Sequence, residues 1–191
     1  QTTAKVNVQK SRRFIGFKPP GQSQPNYTIG AATRSSGQVC ERDRVASERT
    51  LTALVSSADR ATTVRDRPTF LVYVPKTSAK QASLIVKDAS EGYFYEKTFS
   101  LPKQPGILSI DLPKGAPKLQ SGKKYSWSIV LICGKSTRPN DPFVTGLVTK
   151  TNNAQFSTKL EKASLLDRAN AYQKNLIWYD TLATVAKLKK I

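Results

Sequence analysis

Short runs rich in β-branched and aromatic residues recur between Leu51 and Thr149, and they constrain the fold more than any other feature of the chain. Turn-forming segments rich in Pro, Gly and Ser separate the runs, and no stretch of helical periodicity interrupts them. The predicted strands are residues 51–55, 69–74, 82–87, 93–101, 107–112, 124–133 and 143–149. About seven strands of this kind are typical of an immunoglobulin-like sandwich. We therefore predict a mainly β fold, an antiparallel β-sandwich, and not a parallel α/β sheet.

The run at residues 124–133 predicts which strand is central. Trp127, Ile129 and Leu131 alternate with more polar residues and so share one face of the strand. Towards Cys133 both faces become apolar. This pattern indicates a central strand whose last residues, including the cysteine, are buried.

The chain divides by composition into an N-terminal arm (residues 1–37), a sandwich domain (38–152) and a C-terminal helical part (153–191). The arm has basic residues and prolines but no acidic residue, so we predict that it is extended. Within it, residues 3–9 place Val6 and Val8 on one face, in the period-two pattern of a strand. This isolated strand has too little apolar surface to be stable alone.

Beyond residue 153 the apolar period becomes helical, and we predict two short helices at residues 164–174 and 177–189, forming a hairpin. Ser164 followed by Asp167 resembles a capping box at the start of the first helix. The predicted apolar seam of the pair comprises Ala169, Tyr172, Ile177, Leu182, Val185 and Leu188.

The two cysteines, Cys40 and Cys133, lie far apart, unlike the close spacing of zinc or redox sites. A single structural disulfide is the simpler interpretation, and two buried free thiols are the alternative. The chain has no methionine and begins at Gln1, from which we expect a product cut from a longer, exported precursor. A disulfide agrees with an extracellular or cell-surface location, with the periplasm as the alternative.

The formal charge of +18 favours anionic neighbours. Because the basic residues are spread along the whole chain, the sequence predicts no specific nucleic-acid site. Anionic polysaccharide suits such a surface better. No apolar run is long enough to predict a transmembrane segment.

Catalysis, cofactors and metals are all disfavoured by the composition. The chain has no histidine, the commonest general base and metal ligand. Asp88, Glu91 and Glu96 form the nearest approach to an acid cluster, but acids at strand ends of a basic protein are normally solvated or ion-paired. Tyr172, Trp178 and Tyr179 could stack on bases or sugars, although a role in docking the helices is the better interpretation. We therefore predict that the chain is not an enzyme.

An ordered set of motifs resembles an exported cyanobacterial family of unknown function, the domain of unknown function numbered nine hundred and twenty-eight. The motifs lie at residues 51–55, 67–70, 73–75, 105–107, 122–127, 131–133, 171–172 and 177–182. The resemblance covers about residues 38–189 and implies a signal-peptide-bearing protein without known catalytic residues. In the family pattern a glycine often precedes the Ile-Trp-Tyr-Asp run, where this chain has Leu176.

The sequence therefore predicts a self-assembling, filament-like structural protein of the cell surface or extracellular matrix. Its arm would add a strand to the sandwich of a neighbouring copy. The predicted assembly residues are Val6, Val8, Phe14, Ile15 and Phe17, and the predicted polyanion contacts are Lys10, Arg12, Arg13 and Lys18. The alternative is a monomeric exported module that binds anionic polysaccharide or other polyanions.

Overall fold

The computed structural model of the chain is mainly β, and its described residues form eight strands in two sheets and two C-terminal α-helices. It describes residues 39–43, 49–56, 60–88, 92–152, 156, 158, 160 and 162–190. The strands are β1 (Thr52–Ala53), β2 (Thr62–Thr63), β3 (Thr69–Val74), β4 (Gln81–Asp88), β5 (Phe94–Ser100), β6 (Gly106–Asp111), β7 (Lys124–Ile132) and β8 (Phe143–Lys150). The helices are α1 (Leu165–Lys174) and α2 (Trp178–Lys189).

One sheet has the order β1-β3-β6 and the other β2-β8-β7-β4-β5. All strand pairs are antiparallel except that β2 runs parallel to β8. The sheets face each other in a sandwich-like arrangement, since Phe70 of β3 stacks on Trp127 of β7 with ring centroids 4.8 Å apart. The mainly β prediction is therefore confirmed, and the finer immunoglobulin-like description stays a prediction.

The predicted faces of β7 are confirmed. Tyr125, Trp127, Ile129 and Leu131 are buried, and β7 lies between β4 and β8. The predicted burial of Cys133 is wrong, because Cys133 is half-buried, whereas its partner Cys40 is buried.

A disulfide joins Cys40 to Cys133, across 93 residues of sequence. The loop-entropy model gives such a crosslink about 4–5 kcal/mol of stabilisation. Asp43 secures the same segment, because its carboxylate accepts hydrogen bonds from the Thr77 hydroxyl (2.6 Å) and from the Ser78 amide (2.9 Å). Burial alone would raise the pKa of Asp43, but these hydrogen bonds outweigh burial and hold the pKa below its ordinary value. The segment before β1 is thus fixed to the sheets both covalently and by hydrogen bonds.

Helix α1 begins as the sequence predicts, since the Ser164 hydroxyl accepts a hydrogen bond from the Asp167 amide (3.1 Å). Of the predicted apolar seam, Ala169, Tyr172 and Ile177 are buried, but Leu182 and Val185 are half-buried and Leu188 is exposed. The seam prediction is therefore wrong for Leu188. The buried face of α2 carries Tyr179, Asp180, Thr181, Ala183, Thr184 and Ala186. Polar groups define this face because they have partners in the β sheets and in the helix backbone.

The turn between the helices is a Schellman motif built on a leucine. The Leu176 amide donates to the Gln173 carbonyl and the Ile177 amide to the Tyr172 carbonyl. Leu176 has φ = 58°, the left-handed region that the motif normally fills with glycine. A glycine, which the family resemblance implies at this position, would adopt the same conformation without strain.

We expect Leu176→Gly to raise the free energy of unfolding by about 0.5 kcal/mol. It relieves left-handed strain, partly offset by the greater freedom of the unfolded chain. Leu176→Val should lower it by about 1 kcal/mol, because β-branched residues tolerate positive φ least. Urea unfolding of the three proteins measures this order, and a valine variant more stable than the glycine variant would contradict the strain argument.

Gly146 of β8 lies directly across from Trp127, and only a hydrogen in place of a side chain fits there. A Cβ added at Gly146 would lie 2.7 Å from three atoms of the indole ring. Trp127 is fully buried, so the ring has no space into which to move.

Gly146→Ala should therefore lower the free energy of unfolding by about 3 kcal/mol, at the upper end of the usual cost of overpacking. Gly115→Ala is the matched control, because an added Cβ there meets nothing within 4 Å. The control should change stability by less than about 0.5 kcal/mol. Equal urea midpoints for the two variants would show that the core rearranges around the extra methyl group.

Candidate functional site

The Ile-Trp-Tyr-Asp motif at residues 177–180 inserts the start of α2 into the sandwich. Tyr179 is buried and forms edge-to-face contacts with Phe70 and Trp127. The Trp127 indole donates a hydrogen bond to the Tyr179 hydroxyl (2.7 Å), which donates in turn to the Leu147 carbonyl. Burial raises the pKa of the Tyr179 phenol above its ordinary value, so this group stays protonated. The motif is therefore part of the core.

Asp180, the next residue, fixes α2 to the segment around β2. Its carboxylate accepts hydrogen bonds from the Thr63 hydroxyl (2.8 Å), the Val64 amide (3.0 Å) and the Arg65 guanidinium (2.9 Å). Burial raises the pKa of the Asp180 carboxyl, and these donors act against the rise. A buried carboxylate with this set of partners is an anchor whose groups are already engaged.

Asp180→Asn should lower the free energy of unfolding by about 3 kcal/mol. The substitution leaves the Arg65 charge without its counterion, and the new NH₂ group would face a hydrogen-bond donor that now binds a carboxylate oxygen. Asp167→Asn is the same substitution at an exposed position of α1. It should cost no more than about 1 kcal/mol, the value of a helix cap. Urea unfolding measures the free energy of unfolding of both variants. Similar losses of this free energy in the two variants would contradict the anchoring role of Asp180.

The aromatic residues considered for ligand stacking are placed in the interior. Tyr172 and Tyr179 are buried, which confirms the docking interpretation for both. Trp178 is half-buried against the core, and its indole donates to the Leu54 carbonyl (3.2 Å). These rings are therefore not an exposed stacking platform.

The acid cluster suggested by the sequence does not form between Asp88 and Glu96. Asp88 is buried at the end of β4 and accepts a hydrogen bond from the Tyr93 amide (3.2 Å). Glu96 is exposed on β5, pairs in register with Ile85, and accepts a hydrogen bond from the Ser83 hydroxyl (3.0 Å). Ile85 and Asp88 are three residues apart on β4, so their side chains point to opposite faces of the sheet. Because Glu96 lies beside Ile85, the two acids are also on opposite faces. Glu91 lies outside the described residues.

The candidate assembly site is β5, one of the two edge strands of the five-stranded sheet. Strand β5 ends that sheet and pairs only with β4 among the described strands. Alternate backbone N–H and C=O groups of such a strand point away from the sheet and can pair with an added strand. Phe94 on this strand is 61% exposed, the largest exposure of any bulky apolar side chain in the described residues.

The structure does not test the arm residues that the sequence singled out. Val6, Val8, Phe14, Ile15 and Phe17 lie outside the described residues, as do Lys10, Arg12, Arg13 and Lys18. The cysteines are brought together as predicted. Sequence reasoning did not single out Phe94. A signal was available, because Tyr95 and Phe99 share one face of the predicted strand and Phe94, near its start, lies on the other face.

The described part of the chain has no group of three or more Cys, Asp or Glu side chains placed to hold a metal ion. Within the same residues, neither helix has the length and apolarity needed to cross a membrane.

These features define a class of protein: a disulfide-linked, two-sheet β domain whose C-terminal helices are anchored in its core. The chain belongs to the family described as Domain of Unknown Function (DUF928), whose model matches residues 29–191. This confirms the family resemblance, and the match begins before the residue 38 expected from the motifs. Comparison with curated proteins found no match. The exported and cyanobacterial character of the family resemblance stays a prediction.

Proposed function

We propose that this protein is a non-enzymatic structural subunit of the cell surface or extracellular matrix, which assembles head to tail into filaments. In this proposal, residues 3–9 of one copy add a strand to β5 of the next copy. The observation that carries the proposal is the open edge of β5 with its exposed Phe94. Export of the chain is part of the proposal and is supported by the Cys40–Cys133 disulfide.

The arm and the edge are complementary in length and pattern. The predicted arm strand has as many residues as β5. Val6 and Val8 would lie on the face of Tyr95 and Phe99, which are half-buried against the core. Lys5 would then lie on the opposite face, the face of Glu96. Main-chain hydrogen bonds would supply affinity and the two valines would supply register.

Lys97 explains why the added strand should be an arm and not a second β5. Lys97 is the central residue of Phe94–Ser100 and is exposed. Two β5 strands paired antiparallel in full register would therefore place Lys97 opposite its own copy, and like charges directly opposite are destabilising. An arm-to-β5 contact avoids this pair. Because donor and acceptor surfaces differ, the contact is heterologous and generates an open filament when the rotation does not close.

Two features of the residues support a proposal without a catalytic role. The chain has no histidine, and Asp43, Asp88 and Asp180 are buried carboxylates that already accept hydrogen bonds. An acid held in this way is a poor general acid or base because its proton affinity is fixed by structural partners.

A second candidate function is a monomeric exported module that binds anionic polysaccharide. The charge of +18 favours it, because subunits of the same sign repel one another while a polyanion attracts them. The two candidates differ in mass: the first predicts large regular particles, and the second a monomer whose retention on a polyanion falls as salt rises.

Deletion of residues 1–20 should abolish assembly while leaving the thermal unfolding transition in place, since the deleted segment precedes the disulfide and both sheets. Phe94→Ser should weaken assembly at the acceptor edge, because it removes an exposed apolar side chain from the face of β5 opposite Tyr95 and Phe99 without opening the core. Phe143→Ser is the matched control, since Phe143 is also exposed (42%) but lies on β8, away from β5. Light scattering and negative-stain imaging at moderate salt measure particle size.

Wild type and Phe143→Ser should form filaments, the truncated chain should remain monomeric, and Phe94→Ser should need a higher concentration. Filaments from the truncated chain would contradict strand donation by the arm. A monomeric wild type over a range of salt would contradict assembly altogether and favour the polyanion-binding module.

A further inference from the structure

An open cleft lies beside α1, away from the β5 edge. It has a volume of about 440 Å³ and is lined by Val64, Arg65, Asp66, Arg67, Leu160, Arg168 and Tyr172. Its walls therefore contribute three guanidinium groups and one carboxylate. The arginines come from the segment after β2 and from α1, which are about one hundred residues apart in sequence. The Arg65–Asp180 ion pair joins the segment after β2 to α2, the other helix of the hairpin.

Each arginine is oriented by a hydrogen bond from its Nε atom. Arg65 donates to the Asp180 carboxylate (2.9 Å), Arg67 to the Ala116 carbonyl (3.0 Å) and Arg168 to the Ala163 carbonyl (3.2 Å). The Nη2 atom of Arg168 donates to the same Ala163 carbonyl (3.1 Å). All three side chains are half-buried. A guanidinium held by Nε keeps a fixed plane, which lowers the entropy lost when an anion binds to its terminal nitrogens.

The carboxylate in the cleft wall does not neutralise these arginines. Its two oxygens are held by lysines, with Asp66 Oδ1 2.6 Å from Lys150 Nζ and Oδ2 2.9 Å from Lys118 Nζ. These lysines, by hydrogen bonding first and charge second, hold the pKa of Asp66 below its ordinary value. Asp66 therefore stays ionised and engaged with lysines. Among the described residues that line the cleft, three are basic and one is acidic.

We propose that this arginine cleft binds an oxyanion group, a carboxylate or a tetrahedral sulfate or phosphate, through the guanidinium groups of Arg67 and Arg168. Arg65, held by the buried Asp180, also lines the cleft. Guanidinium forks match the geometry of such groups and form charge-assisted hydrogen bonds with them. The cleft is open and large enough for the oxyanion to be part of a sugar unit. This proposal does not depend on filament assembly.

The test is a titration of the full-length protein followed by NMR of the arginine Nε–Hε signals. The probes are inorganic sulfate, inorganic phosphate, acetate and glucuronate, each compared with sodium chloride at equal ionic strength so that screening is constant. The signals of Arg67 and Arg168 should shift with saturation. The signal of Arg42, an exposed arginine outside the cleft lining, should not.

Three variants separate a built site from a general ion atmosphere. Arg67→Gln should weaken anion binding about tenfold, the value of one charge-assisted hydrogen bond. The affinity of Arg67→Lys should lie between those of Arg67→Gln and wild type. Arg42→Gln changes the net charge by the same amount and should leave the affinity unchanged. Tighter binding of glucuronate than of acetate would identify a sugar acid as the source of the group, and equal affinity would identify the free anion.

Shifts that grow linearly without saturation, or that are as large for Arg42 as for Arg67, would overturn the proposal. Equal losses of affinity in Arg67→Gln and Arg42→Gln would do the same. If Arg67→Gln fails to fold, as judged by its unfolding transition, the charge-conserving Arg67→Lys variant still distinguishes a fork-specific site from attraction to net charge.

Discussion

The hydrogen bond from the Trp127 indole to the Tyr179 hydroxyl is the interaction on which the rest of the structure depends. Trp127 is fully buried between the sheets, and a buried N–H without an acceptor would cost about 1–3 kcal/mol. The acceptor is supplied by α2, more than fifty residues later in the chain. The helices are therefore a structural part of the sandwich core, and the neighbouring Asp180 extends the same anchor to β2.

The strands and helices could be predicted because their signals are local. Alternation along β7 and turn residues between runs gave elements close to those observed, and both helices were predicted to begin within one residue of the observed position. Strand β2 was missed because a two-residue strand has no periodicity. It pairs with β8, and its Thr63 hydroxyl bonds to Asp180. Such a strand is specified by tertiary contacts, which a local pattern does not contain.

The same limit applies to the candidate sites. Leu188 fits a helical apolar pattern but is exposed, whereas Asp180, Thr181 and Thr184 break the pattern and are buried. Arg67 and Arg168 are far apart in sequence, so the distribution of charge along the chain does not reveal that they line the same cleft. The Cys40–Cys133 pair was predictable because a chain with only two cysteines allows one internal disulfide. The arm remains a sequence prediction because it lies outside the described residues.

Charge connects the two proposals even though their surfaces differ. A subunit with +18 pays an electrostatic cost whenever it meets a copy of itself, and Lys97 adds to that cost at the β5 edge. An oxyanion in the arginine cleft would lower the net charge of each subunit without touching β5. If the oxyanions belong to one polymer, they would also bring subunits to high local concentration. Assembly on an anionic polymer would then be favoured over assembly in its absence, so an anionic matrix component and a filament subunit are compatible descriptions of one protein.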